Sequence, residues 1–226
     1  MCDCLRIATQ GEPGPYYEGN VFEEWLEARS DTPAATFGNA PLTPELPDGI
    51  QIPVVQDLVR RTQDEPLTEE EMAAEQAALY DWVYGGGGLI TLLGYQEADY
   101  DCPSINALLT PFGLSYGLEN LCKDQWPTWP VTDFAVHPTT EEVTAIGINN
   151  GKETVGDGEV IATCDGLPAA MAVELGEGKI FMWGDEWITY NSQWEDAPEY
   201  QVERFWLNIF KWVTPVDECQ VPIIVV

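Results

Sequence analysis

Asp185 and Glu186 stand side by side at the head of the segment Gly184-Asp-Glu-Trp-Ile-Thr-Tyr-Asn-Ser-Gln-Trp194. Two neighbouring carboxyls can divide the work of acid–base hydrolysis, provided their surroundings raise one of the two pKa values. Trp187, Tyr190, Asn191, Ser192 and Trp194 follow in the same stretch. Such a mix of amide, hydroxyl and flat aromatic surface suits a carbohydrate or another small polar ligand. The competing reading is architectural: the carboxylates tether a crowded loop while the indoles pack the core beneath it. His137 is the one histidine of the chain, and its ordinary pKa suits a general base near neutrality. It precedes Pro138 and the run Thr139-Thr-Glu-Glu142, a setting in which an imidazole also orients a loop through a ring hydrogen bond. Tyr95, after Gly94, joins Glu186, Asp185 and His137 as a candidate catalytic group.

Metal chemistry has little to build on. His137 has no second imidazole, and the cysteines lack C-x-x-C spacing, so no transition-metal site and no cofactor are expected. Calcium needs only oxygen ligands and remains open to so acidic a chain. Asp64-Glu65, Glu69-Glu-Glu71 and Asp99-Tyr-Asp101 nevertheless lack EF-hand spacing and read as solvated faces. Gly85 to Gly88 follows a predicted helix and precedes a strand. A phosphate loop has the reverse order, so the glycines read as a helix C-cap and a tight turn.

The formal charge is −30, from nine Lys plus Arg against 39 Asp plus Glu. That field repels nucleic acid and anionic membrane surfaces, and it attracts cations or basic partners when it does not simply confer solubility. Hydrophobic residues make up 45% of the chain, nine of them Trp, enough for a substantial core and against intrinsic disorder. No apolar run reaches membrane-spanning length, and Met1-Cys-Asp-Cys4 is no signal peptide. An exported chain is therefore expected to have lost its signal. Cys2, Cys4, Cys102, Cys122, Cys164 and Cys219 form a scattered, even set, which suits disulfides in an oxidising compartment; buried free thiols are the alternative. Cys102 and Cys122 flank one local segment and could staple it. Cys219 follows the last helix, which in a parallel α/β fold can return near the first strand and so to Cys4 or Cys2.

The elements that would position these groups are readable in order. Leu5–Thr9 is a short strand, and Asn20 with Glu23 forms a capping box for a helix carrying Val21, Phe22, Trp25 and Leu26 on one face. Residues 34 to 37 and Ile50–Val55 are further strands, the latter weakened by Pro53, which removes a ladder donor. Thr68 and Glu71 make a second capping box, opening a helix to about Tyr84 with Met72, Gln76, Leu79, Tyr80 and Val83 inward. After the glycines come the strand Leu89–Leu93 and a short helix near Ser104–Leu109. Residues 117 to 134 read as an ordered loop. Strands follow at Ala145–Ile148, Glu159–Thr163, Ala169–Leu175 and Lys179–Trp183, the last two joined as a hairpin at Gly176-Glu-Gly178. Asp196 and Glu199 stand at the mouth of an amphipathic helix carrying Val202, Phe205, Trp206, Ile209, Phe210 and Val213, which Pro215 stops.

This order predicts a single α/β domain over 1–226, with its core at about 5–213 and an apolar tail at Val221–Val226. The expected architecture is a three-layer sandwich around a mostly parallel, flavodoxin-like sheet with an antiparallel hairpin near the C-terminus. Ligands in such sheets gather beyond the carboxyl ends of the strands. Along that edge lie Gln10, Glu12, Gln56, Asp57 and Tyr95, together with Asp185, Glu186, Trp187, Tyr190, Asn191, Ser192 and Trp194.

Four stretches in order carry a resemblance. They are Tyr80-Asp-Trp-Val-Tyr-Gly-Gly-Gly-Gly-Leu-Ile-Thr-Leu-Leu-Gly-Tyr95, Asn106–Tyr116, His137–Val143, and Gly176–Asp185 with the helix holding Phe205-Trp-Leu-Asn208. Over roughly residues 5 to 213 the chain resembles the class I glutamine-amidotransferase-like superfamily. The nearer likeness is to its non-amidotransferase branches, the trehalose-utilisation-type and related secreted bacterial domains. The resemblance implies a nucleophilic Cys on the turn after Leu93, where this chain has Gly94 and Tyr95, and a catalytic His that His137 does not match. Glutamine hydrolysis by that mechanism is thus not expected, and fold analogy supplies no other reaction.

The expected function is a non-catalytic, secreted or surface domain that binds a small polar ligand, a carbohydrate or a protein partner through the Asp185–Trp194 edge. Nucleic acid and membrane insertion are not expected. The alternatives are a carbohydrate or ester hydrolase using Asp185 or Glu186 with His137 or Tyr95, and a structural subunit whose tail pairs with a neighbour. The sequence fixes no oligomeric state.

Overall fold

Thr68 starts the longest of the described helices by satisfying two orphan backbone donors at once. Its hydroxyl accepts the Glu71 amide at 3.2 Å, and the Glu71 carboxylate accepts the Thr68 amide at 2.9 Å, closing the capping box that opens α2 (Glu69–Tyr84). Removing the cap with Thr68→Ala is expected to lower stability by about 1 kcal/mol, read from a urea-unfolding midpoint. The helix ends where Gly85 and Gly86 turn the chain back onto the carbonyls of Asp81 and Val83, Gly86 at φ +116°, a conformation open to glycine.

In this computed structural model the described residues are 7–11, 20–29, 35–36, 41–42, 50–56, 58, 66–94, 101–122 and 129–215. The fold is mixed α/β. Among the described residues eight strands form one sheet in the order β2-β1-β3-β4-β12-β11-β10-β7. These are β1 (Ile7–Gln10), β2 (Ala35–Thr36), β3 (Ile52–Val55), β4 (Gly88–Leu92), β7 (Asp133–Phe134), β10 (Glu159–Cys164), β11 (Leu167–Leu175) and β12 (Gly178–Trp183). The half from β2 to β12 pairs in parallel. From β12 through β11 and β10 to β7 the pairing is antiparallel, so parallel character covers part of the sheet, less than the sequence predicts. Pro53 stands inside β3 opposite Ala8 of β1, and β3 is registered on β4 at Val54–Ile90 and Val55–Thr91, so the strand forms despite the donor that proline removes.

Alternation along the central strands divides the core. Ile90, Leu92, Phe181 and Trp183 pack with α1 (Val21–Glu27) and α5 (Val202–Val213). Leu89, Ile180 and Met182 pack with α2 and α3 (Pro103–Leu109) in a second cluster, as a pleated strand between two covered faces requires. Helix α4 (Asn191–Glu195) lies between β12 and α5 in sequence. Among the described residues no helix is long and apolar enough to cross a membrane.

Three expectations need correction. The stretch 117–134 is not all loop: β5 (Leu114–Asn120) and β6 (Trp129–Val131) form there. They pair antiparallel with β9 (Lys152–Gly156) and β8 (Ile146–Ile148). At α1, Asn20 makes no side-chain cap and Glu23 closes no box; Asn20 instead bonds Glu24, and the Val21 amide is accepted by Asn191 Oδ1 at 3.0 Å. Cys122 is bridged to Cys164, with Cα atoms 5.5 Å apart, and not to Cys102. Cys102 belongs to the core cluster on one face of the sheet, and Cys122 and Cys164 to the cluster on the other, which places Cys102 out of reach. Cys2, Cys4 and Cys219, and the tail at 221–226, lie outside the described residues.

Candidate functional site

Strands β4 and β12 run side by side in parallel, with Leu92 opposite Trp183, so the residues just past their carboxyl ends are delivered to the same corner. Gly94 stands at the bend after β4. A Cβ on it would lie 2.9 Å from Glu186 Oε1 and 3.0 Å from Oε2, so the Glu186 carboxylate rests directly on the glycine. The place in which the resemblance puts a nucleophile is filled by an acid from elsewhere in the chain. Tyr190 donates its hydroxyl to Glu186 Oε1, and Glu186 is 1% exposed.

Asp185 is equally buried, and both its oxygens are engaged by backbone. Oδ1 accepts the Trp187 amide at 2.6 Å and Oδ2 accepts the Asn149 amide. Burial pushes the Asp185 carboxyl well above the usual carboxylate range, while N–H donation from Trp187 and Asn149 pulls the other way and the Glu186 charge adds to the rise.

Most other polar groups of the segment are bonded within the protein, while Gln193 Oε1 is buried with no hydrogen-bond partner among the described residues. The Thr189 hydroxyl donates to the Glu186 carbonyl at 2.8 Å and accepts from Gln56 Nε2 at 3.3 Å. Trp187 Nε1 donates to Ser192 Oγ, and Trp194 Nε1 to the Ile188 carbonyl. That carbonyl takes a second indole N–H from Trp206 of α5 at 2.9 Å. Asn191 is spent on the start of α1, and Gln193 Nε2 holds the Gly147 carbonyl at 3.0 Å. Residues 184 to 190 are all buried; Asn191 and Trp194 are half-buried and Ser192 exposed. The structure thus brings Gln56, Asp185, Glu186, Trp187, Tyr190, Asn191, Ser192 and Trp194 together, as a packed plug. Gln10 belongs to β1; Glu12, Asp57 and Tyr95 lie outside the described residues. Asn149, Gly147 and Thr189 are partners that the sequence does not advertise, since the first two contribute backbone groups from β8 and the residue just after it.

His137 is elsewhere. Its Nδ1 accepts the Thr139 amide at 3.2 Å and lies 2.8 Å from Thr139 Oγ1, capping the 3₁₀ turn Pro138–Thr140. The ring meets Trp212 edge-on at 5.0 Å. The Trp212 carbonyl accepts Lys179 Nζ at 3.0 Å, so this group sits at the amino end of β12. Asp185 and Glu186 follow the carboxyl end, a strand length of roughly 16 Å away. The hydrolase pairing of either acid with His137 is therefore not assembled.

Burial lowers the His137 pKa, opposed by the charges of Glu159 and Glu174 and aided by Lys179. Because the native value lies below the unfolded one of about 6.5, the folded chain binds fewer protons. Its stability is then complete above that value and falls as the pH drops through the native pKa. Urea midpoints measured from pH 8 to 5 are expected to fall more steeply for the wild type than for His137→Asn, which keeps a capping acceptor and does not titrate.

Among the described residues no group of three or more His, Cys, Asp or Glu side chains is placed to hold a metal ion. No protein-family model matches the chain, and no curated protein matches it in sequence. Solved structures do. A cytoplasmic protein from Salmonella typhimurium LT2 superposes with a TM-score of 0.65 at 14% identity, over 93% of this chain and 100% of its own. A ThuA-like protein from Bacteroides uniformis matches with a TM-score of 0.50 at 14% identity, over 94% and 93%. Gan42B, a GH42 β-galactosidase from G. stearothermophilus, matches with a TM-score of 0.54 at 14% identity, over 94% of this chain and 31% of its own. These are likenesses of fold, which the chain shares with the ThuA-like protein among others.

Proposed function

We propose that this chain is a non-catalytic binding domain, built on the flavodoxin-like, three-layer scaffold of the non-amidotransferase branch of the amidotransferase-like superfamily, and that it works outside the cytoplasm. The carrying observation is the occupied corner. Glu186 rests on Gly94 and holds the Tyr190 hydroxyl, Asp185 serves two backbone amides, and each acid is 1% exposed. A glycosidase needs two carboxyls facing one another across an open cleft with a proton to exchange; these two face into a closed loop. The Cys122–Cys164 bridge supports an oxidising compartment.

The test is turnover. Purified protein is expected to hydrolyse neither glutamine nor a panel of p-nitrophenyl glycosides and esters, with wild type and Glu186→Gln indistinguishable from buffer. A rate that Glu186→Gln abolishes would replace this reading with a hydrolase using the acid on Gly94. Thiol labelling of material from its native source addresses location: Cys122 and Cys164 should resist alkylation until reduced, and reactive thiols at both positions would overturn export.

A further inference from the structure

Two open grooves meet at His137-Pro138, at the amino end of β12. One, of about 560 Å3, is walled by Phe134, Val136 and Val143. The other, of about 480 Å3, is walled by Asp157, Glu159, Glu174 and Trp212. The first is the more apolar, and its Val136 side chain is fully exposed (102%). It borders β7, the terminal strand of the eight-stranded sheet, and among the described residues no strand pairs with the outer edge of Asp133-Phe134. In the second groove Asp157, Glu159 and Glu174 are exposed, and none makes a salt bridge to a described residue. Neither groove is lined by a lysine or arginine. Trp212 is buried and its ring already carries an ammonium, Lys179 Nζ at 5.2 Å from the ring centre, so a further cation would be held by the three exposed carboxylates.

We propose that the paired grooves dock an extended, lysine- or arginine-bearing segment of another protein. The segment adds a strand along β7, seats an apolar side chain on Phe134, Val136 and Val143, and places a cation among Asp157, Glu159 and Glu174. Edge pairing supplies affinity, and the two unlike grooves supply sequence preference. Charge decides the occupant. A second copy would bring its own share of a −30 surface against three carboxylates, which like-charge contact opposes, whereas a basic segment is drawn in and steered. This inference rests on the non-catalytic reading above and gives it a partner chemistry.

The experiment uses two fluorescein-labelled probes, an alternating Lys-Val hexapeptide and its Glu-Val counterpart, followed by anisotropy at 0.15 M salt. The Lys-Val peptide is expected to bind and the Glu-Val peptide not. Glu159→Gln with Glu174→Gln should weaken binding about tenfold, a fraction of a kcal/mol per exposed charge. Val136→Asp should weaken it similarly while adding negative charge, a result that bulk attraction cannot give. The control pair Glu69→Gln with Glu70→Gln, on α2 across the sheet, removes equal charge and should change affinity less than about twofold. All variants are checked for an unchanged far-ultraviolet dichroism spectrum. Equal loss in groove and control variants, tighter binding by Val136→Asp, equal binding of both peptides, or no binding at all would overturn the proposal. So would a dimer in sedimentation that Val136→Asp dissolves, which would assign the face to self-association. Glu186-dependent turnover, by contrast, would end the non-catalytic reading and leave the peptide result standing.

Discussion

Replacing Trp206 with alanine is expected to lower stability by about 3–5 kcal/mol, the range for emptying a large buried aromatic position. Trp206 is fully buried on α5, its ring 4.5 Å from Phe22 and 5.3 Å from Phe210 between centroids. Deleting it opens a void between α1 and α5 that well-packed neighbours fill only in part. Trp206 Nε1 also shares the Ile188 carbonyl with Trp194, so the loss is felt in the segment that holds Glu186 on Gly94. Trp206→Phe separates the two effects. It keeps most of the volume and removes the donor, and since Trp194 still serves the carbonyl its cost should be nearer 1 kcal/mol. Urea unfolding of both variants measures the difference. Equal losses would mean that the hydrogen bond, and not the packing, fixes the loop.

Reducing the Cys122–Cys164 bridge should cost about 4 kcal/mol, because it closes a loop with a sequence separation of 42 and so restricts the unfolded chain. The bridge ties the end of β5 to the end of β10, and thereby the small β5–β9 ribbon to the main sheet. Cys122→Ala with Cys164→Ala should reproduce the effect of reductant, and reductant should then have no further effect on that variant at this site. A double variant as stable as the oxidised wild type would show that the unbridged chain is already restrained there.

Local signals were legible and remote ones were not. The Thr68–Glu71 box, the turn between β11 and β12 and the apolar face of α5 each depend on residues within a few positions of one another, and all three form where the sequence puts them. The expected cap on α1 is absent: Asn20 turns its side-chain amide to Glu24, and the Val21 amide finds its acceptor in Asn191, 170 residues away. Strands β5 and β6 were hidden in a stretch rich in Trp, Pro and Asp, where the low strand propensity of Pro and Asp is overridden by pairing with β9 and β8. The disulfide partner of Cys122 was concealed for a related reason, since the face of the sheet on which a thiol ends up is a property of the finished fold. At the corner, the sequence exposes a glycine where the resemblance expects a nucleophile. What stands on that glycine depends on the register of β12 against β4, which no short window contains.

Strand β12 also sets an order of events. It lies between β4 and β11 and, among the described residues, is the only strand joining the parallel half of the sheet to the antiparallel half, yet seven described strands separate it from β4 along the chain. During synthesis, therefore, β4 must wait with an open flank until residue 183 has left the ribosome, and pairing this non-local is slow. A waiting apolar edge of this kind is exposed to misassembly, so kinetic traps in refolding should concentrate on the β4 side of the seam.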